Sequence, residues 1–95
     1  MEALINTLYY DDNINVRMKA AEALAVFSNR KQVLDALITA LRTQEKSPEV
    51  QITIIDLLVE ANAKRAIDGF QELLKRENLM DVVKSKAADG IEKLL

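Results

Sequence analysis

The chain has 95 residues and a net charge of −2; 49% of its residues are hydrophobic and 4% are aromatic. This length allows one compact domain or a short helical array, and the balanced charge argues against a nucleic-acid backbone or an anionic membrane as the main partner. The lack of Cys and His excludes thiolate nucleophiles, disulfides, Cys/His zinc sites and imidazole catalysis from this chain.

Apolar residues recur at helical spacing and predict six helices separated by short polar breaks. The predicted helices cover residues 1–9, 14–28, 31–43, 48–60, 64–76 and 80–94. Asp12 or Asn13 is available to cap the second helix, and the fourth is expected to start with Ser47 as its side-chain cap and Pro48 at its first position. The connections are too short for separate domains, so each helix is expected to pack against its neighbours in sequence.

A short motif recurs three times and indicates a repeat of 33 or 34 residues. It begins at Val16, Val50 and Val83, and apolar residues follow at equivalent places. Self-similarity at this period is typical of stacked helical units, because one unit cannot bury its apolar face alone. The sequence therefore predicts an all-α solenoid, a superhelix of three helical hairpins over residues 1–30, 31–62 and 63–95.

The two ends of the predicted array differ. The fourth helix is apolar around most of its circumference, as expected for a helix covered on several sides. The sixth is more polar and is typical of a terminal cap. The first hairpin is expected to be truncated at its N-terminus, because Met1 aligns with Leu34 and the counterpart of Val33 would precede the chain. The second helix also carries apolar residues that suit an uncovered face: Met18, Ala25 and Val26.

Small residues recur at two equivalent places. Ala3, Ala36 and Gly69 align in the odd-numbered helices, and Ala23 aligns with Gly90 in the even-numbered ones. A glycine within a helix costs about 1 kcal/mol relative to alanine. We therefore expect close helix–helix contact at these positions.

The residues from Asn13 to Arg17 and from Ala20 to Leu24 resemble the second helix of a HEAT repeat, and segments 47–51 and 81–84 resemble its later copies. The resemblance covers the whole chain and implies an armadillo-type α-solenoid that acts as a protein–protein interaction or scaffold module, not as an enzyme. Gln51 and Lys84 stand where the first copy has Arg17, so a regular Arg–Asp ladder between repeats is not expected.

A narrower likeness concerns three strings, at residues 3–8, 50–52 and 55–59. They resemble the C-terminal HEAT region of bacterial zinc-finger anti-sigma-factor-like membrane proteins, in which a zinc-binding segment and a membrane helix precede the repeats. This likeness implies a regulatory or sensory parent, with a membrane anchor of the kind that precedes the repeats in those proteins. It transfers no catalytic, cofactor or metal-binding residue, and none of these is expected here, nor is a small-molecule substrate or membrane contact by this segment.

Charged residues recur on the second, fourth and sixth helices and form the candidate site. Glu22, Asp56 and Asp89 are equivalent, and a spacing of three residues puts a partner from the preceding helical turn on the same face. Stacked, they would form acidic and basic rows along one surface. Most charged helix faces are merely solvated. The pattern is therefore compatible with a binding surface and with an ordinary solvated face. The candidate partner-binding surface comprises Met18, Lys19, Glu22, Thr53, Asp56, Lys86 and Asp89.

The first turn contains a partial calcium-loop pattern. Asp11, Asn13, Asn15 and Glu22 match the spacing of ligands in such a loop. Val16 stands where that loop requires glycine, and the segment is predicted to be helical. A polar turn with a helix cap is therefore the favoured interpretation.

Two further functions are compatible with these residues. One is structural self-association through the uncovered face near Met1, Met18 and Val26. The other is nucleic-acid binding by a helical repeat, with contacts from the basic residues of the even-numbered helices, although the acidic row beside them opposes it. These basic residues are Lys19, Lys84 and Lys86.

Overall fold

The computed structural model describes residues 1–95 and contains six α-helices and no strand. A single 3-10 turn, Lys64–Ala66, precedes the fifth α-helix. The helices are α1 (Glu2–Tyr10), α2 (Ile14–Ala25), α3 (Lys31–Thr43), α4 (Pro48–Glu60), α5 (Ile67–Leu74) and α6 (Asp81–Leu94). The predicted all-α solenoid is confirmed. None of the six helices is both long and apolar enough to cross a bilayer.

The helices pair into three hairpins, which are α1 with α2, α3 with α4, and α5 with α6. The hairpins stack into a slab of 30 × 27 × 15 Å. Helices α2, α4 and α6 contact one another more closely than α1, α3 and α5 do. We call α2, α4 and α6 the inner row and α1, α3 and α5 the outer row.

One apolar core runs through all three hairpins, with 19 buried residues in a single cluster. Helix α4 lies at its centre because it packs against α2, α3 and α6. Val50, Ile54 and Leu58 on this helix are fully buried. The prediction that the fourth helix is covered on several sides is confirmed.

Two predicted helices are shorter in the structure. Helix α2 ends at Ala25 and not at residue 28, because the chain tightens into successive turns through residue 29. The fifth predicted helix is split into the 3-10 turn and α5. The reason is the reversal after α4, where Asn62 has a left-handed φ of 52° and the Ala63 N–H donates to the Leu58 carbonyl.

The two predicted helix starts have different outcomes. Asn13 caps α2, since its side chain accepts from the backbone N–H of Val16 at 3.2 Å. Ser47 precedes Pro48 at the start of α4 as predicted, but its hydroxyl makes no capping hydrogen bond. The hydroxyl instead accepts from Nη2 of Arg17 at 2.8 Å. The expectation that this serine caps through its side chain is therefore wrong.

The calcium-loop spacing falls on a capped turn and a helix. The backbone N–H of Asn13 donates to Oδ1 of Asp11 at 2.9 Å, and α2 begins at the next residue. Asn15 and Glu22 both lie within α2, so the four side chains do not line one loop. The interpretation as a polar turn with a helix cap is confirmed.

Both glycines lie at close helix contacts, as predicted. A Cβ on Gly69 would stand 2.8 Å from Cγ2 of Ile38 on α3. A Cβ on Gly90 would stand 2.8 Å from the ring of Phe70 and 3.3 Å from Val59. Helix α6 can therefore approach α4 and α5 only because its inward-facing position carries no side chain.

Candidate interaction surface

The charged residues predicted as a site lie on the inner row and make two ion pairs. Nζ of Lys19 lies 3.6 Å from Oε1 of Glu22 on the same helix, α2. Nζ of Lys86 lies 3.2 Å from Oδ1 of Asp56, across the gap between α6 and α4. The side chains in both pairs are at least 43% exposed. Pairs this exposed contribute only about 0–1 kcal/mol of stability, so their charges remain available to a ligand in solvent.

The contact between α2 and α4 on this surface is neutral. The hydroxyl of Thr53 donates to the sulfur of Met18 at 3.4 Å, and this threonine stands where the other two hairpins have lysine. Met18 is half-buried against the middle hairpin. Its predicted place on an uncovered face at the start of the chain is therefore wrong.

Three of the predicted residues line a single groove between α4 and α6. This groove has a volume of about 200 Å³, and Asp56, Lys86 and Asp89 all contribute to its walls. Its floor includes Val59 and Gly90. The structure thus brings these three charged side chains together, whereas Lys19 and Glu22 form a separate exposed pair on α2.

Sequence reasoning did not identify the contacts of the polar residue in the repeated motif. Arg17 donates from Nη1 to the Asp11 carbonyl and from Nη2 to Ser47. Its equivalent Gln51 is 1% exposed and donates from Nε2 to the Leu41 carbonyl at 2.9 Å. Both side chains therefore make hydrogen bonds within the array.

Two more ion pairs join the second hairpin to the third. Nη2 of Arg65 lies 2.8 Å from Oδ1 of Asp35 on the outer row, and Arg76 pairs with Glu45 at the turn edge. In each pair the basic residue lies on the third hairpin, as it also does in the pair of Lys86 with Asp56. The sequence signal was a base placed 30 or 31 positions after an acid, slightly less than one repeat.

A larger cleft at the turn edge, about 510 Å³, was also not predicted. It lies between the second and third hairpins, and the ion pair of Glu45 and Arg76 contributes to its wall. The turn from α5 to α6, residues 75–80, is longer than the equivalent turns at residues 11–13 and 44–47, and the repeat pattern gave no signal for this difference. The lining residues are Glu45, Lys46, Pro48, Gln51, Arg76, Glu77, Asn78, Leu79 and Met80.

Comparison with known families agrees with this architecture. A family model described as HEAT repeats matches residues 1–92. The chain belongs to the HEAT-repeat family. No curated protein and no solved structure matches it. HEAT repeats are generally protein-interaction or scaffold modules and are typically non-catalytic.

The charges on the inner row of this HEAT array alternate in sign. Lys19 and Lys86, two of the three bases predicted for nucleic-acid contact, each lie within 4 Å of a carboxylate. A phosphate backbone requires a continuous positive surface. The inner row, with charges of both signs, is not a surface of this kind.

Proposed function

We propose that this HEAT array is a non-catalytic interaction module that binds a protein partner along its inner row. The observation that carries the proposal is the groove between α4 and α6, where Asp56, Lys86 and Asp89 meet. These side chains are fixed in spacing by helices that share one core. A surface that is already ordered loses little conformational entropy on binding, so weak charged contacts can add up to useful affinity.

The partner that fits this surface carries both basic and acidic side chains. Asp89 is exposed, and no cation lies within 4 Å of its carboxylate, so it is available to accept from an arginine or lysine of the partner. Lys86 is already held by Asp56 and can share its remaining N–H donors with an acidic residue. Alternating charges of this kind fix register and select against partners of the wrong pattern.

The parent protein, in this proposal, is a bacterial anti-sigma-factor-like regulator. The support is the likeness of residues 3–8, 50–52 and 55–59 to the C-terminal HEAT region of such proteins. Under this assignment, the inner row would bind another protein of the regulatory complex. Recovery of a sigma factor or a known anti-sigma complex member with the chain would support it; specific capture of unrelated proteins would contradict it.

The interaction surface is tested by immobilising the chain and comparing captured proteins from the organism that encodes it. Glu22, Asp56 and Asp89 are replaced together with alanine. The matched control replaces three exposed outer-row carboxylates, Glu2, Asp68 and Glu72, and changes the net charge equally.

The expected result is loss of the captured proteins with the inner-row variant and their retention with the outer-row variant. Equal loss with both variants would show that only net charge matters. Full retention with the inner-row variant would contradict the proposed surface. Thermal melts of all three proteins establish that the comparison is made between folded chains.

A further inference from the structure

Exposed large apolar side chains are confined to the two ends of the array. Seven such side chains are exposed: four lie in the first hairpin and three in the third, and the middle hairpin has none. They are Tyr10, Val16, Val26, Phe27, Met80, Val82 and Leu95. Scattered apolar residues are ordinary on protein surfaces, so an uncovered face is identified only where equivalent positions of the repeat differ in burial.

Equivalent positions of the repeat define the face at the start of the array. Val16 is 40% exposed, whereas its equivalents Val50 and Val83 are 0% exposed. Leu4 is half-buried, whereas its equivalents Leu37 and Phe70 are buried. The second and third hairpins are covered here by the hairpin before them. We call the face that includes Leu4 and Val16 the upstream face.

The same comparison defines a face at the other end. Ala88 is exposed, whereas its equivalents Ala21 and Ile55 are at most 1% exposed. Ile91 is half-buried where Leu24 and Leu58 are fully buried. The hairpin that follows supplies the cover in the first and second hairpins. The helix predicted as a polar cap therefore also carries an uncovered apolar strip, and we call the face that includes Ala88 and Ile91 the downstream face.

We propose that a second copy of this chain covers these faces, with the downstream face of one copy packed on the upstream face of the next. The two faces are complementary because they correspond to the two sides of a contact between neighbouring hairpins within the array. The downstream face presents the surface that buries Val50 and Val83 within the array, and the upstream face presents the surface that buries Ala21 and Ile55. The net charge of only −2 opposes such stacking weakly.

Charge complementarity fixes the register of the proposed contact. Within the chain, Lys86 of the third hairpin pairs with Asp56 of the second at 3.2 Å. When the repeats are aligned, Lys19 occupies the position of Lys86, and Asp89 occupies the position of Asp56. Stacking in the same register therefore places Lys19 of the next copy beside Asp89. Lys19 has an 82% exposed side chain, and Asp89 is exposed as well.

The proposed contact joins two different faces, so it does not close in a dimer. Contacts of this head-to-tail kind generate rings or open filaments. The average mass should therefore rise with concentration beyond that of two chains. The inner row would then continue from copy to copy and lengthen the surface available to a partner.

The experiment is sedimentation equilibrium of the 95-residue chain from micromolar to millimolar concentration. Lys19→Glu and Asp89→Lys each place like charges at the contact, and each should raise the concentration needed for association by at least about tenfold. The double variant Lys19→Glu/Asp89→Lys exchanges the charges and should restore association. Glu49→Lys, exposed on the middle hairpin, makes a charge change equal to that of Asp89→Lys and should leave association unchanged.

Three results would overturn the proposal. One is a monomer at every concentration, which would mean that these faces do not bind a second copy. Another is unaltered association of both single variants. The third is failure of the folded double variant to recover, which would exclude the stated register. Circular dichroism melts of each variant distinguish loss of association from loss of the fold.

Discussion

Arg17 and Ser47 join the first hairpin to the second through a hydrogen bond of 2.8 Å between Nη2 and Oγ. The other terminal nitrogen of Arg17 donates to the carbonyl of Asp11, just after α1. One side chain thereby connects the end of α1, the body of α2 and the start of α4. Its planar guanidinium supports this geometry, because its N–H groups point in fixed directions.

Replacing Arg17 with methionine should lower the free energy of unfolding by about 1.5–3 kcal/mol, the range for hydrogen bonds of charged groups. Ser47→Ala should cost about 1 kcal/mol. The two losses should not add, because both variants remove the same bond. Urea denaturation of the single and double variants measures this coupling, with the exposed Arg42→Met as the control. Strictly additive losses would show that the bond has no energetic role.

Truncation of the central helix should be costly. Leu58 is fully buried on α4, the helix that packs against α2, α3 and α6, and Leu58→Ala should lower the free energy of unfolding by about 2–5 kcal/mol. Val82→Ala, at a side chain that is 48% exposed, should change it by less than about 0.5 kcal/mol. Urea titrations of the two variants give the comparison. Similar values for both would contradict the central position of α4.

The two glycines should respond differently to alanine. Alanine gains about 1 kcal/mol of helix propensity at either site. At Gly90 the new methyl group meets the buried ring of Phe70 at 2.8 Å, and overpacking of this kind costs about 1–3 kcal/mol. At Gly69 it meets half-buried Ile38, which has more freedom to shift. Thermal melts should therefore show Gly90→Ala as the less stable variant.

The control for the contact between Gly90 and Phe70 is a Phe70→Leu background, in which the side chain at position 70 is smaller. Gly90→Ala should cost less in this background than in the natural sequence, because Cε2 of Phe70, the nearest atom to the new methyl group at 2.8 Å, has been removed. An unchanged cost would mean that the strain arises elsewhere on α6.

The reversal after α4 depends on a left-handed residue. Asn62 has φ 52°, a conformation that costs alanine about 1–2 kcal/mol and glycine nothing. Asn62→Ala should therefore lower the melting temperature, and Asn62→Gly should leave it equal or raise it. The neighbouring exposed Glu60→Ala serves as the control within α4. A melting temperature lower for glycine than for alanine would contradict this account of the turn.

Alkaline pH should weaken the fold through Tyr9. Burial raises the pKa of its phenol above the usual 10.0, and the hydroxyl donates to the Ala36 carbonyl at 3.1 Å. The unfolded chain therefore loses this proton at a lower pH than the folded chain. The contribution is full below pH 10 and declines as pH rises from there through the folded pKa.

The measurement is the difference in unfolding free energy between the natural chain and Tyr9→Phe at a series of pH values. The difference should be constant below pH 10 and should shift in favour of the phenylalanine variant above it. Tyr10→Phe, at a side chain that is 76% exposed, is the matched control. A difference that does not vary with pH would exclude linkage through Tyr9.

Much of the fold could be predicted because its determinants are local. The bounds of α3 and α4 agree with prediction at both ends, since apolar spacing and Pro48 specify them within a few residues. The repeated valines were correctly placed as equivalent positions. Their unequal burial, with Val16 exposed and Val50 buried, depends on neighbouring hairpins. It could not be predicted from the valines themselves.

The candidate site shows the same division. Sequence spacing placed Asp56, Lys86 and Asp89 on one surface, and the structure puts them in one groove. The spacing did not predict that Lys86 pairs with Asp56 on another helix. It also did not predict that the hydroxyl of Ser47 accepts from Arg17, so that α4 has no side-chain cap. The spacing of apolar and charged residues is a property of each helix by itself, so it can be recognised in the sequence alone. The choice of partner by a polar side chain depends on distances between helices, which only the packed array fixes.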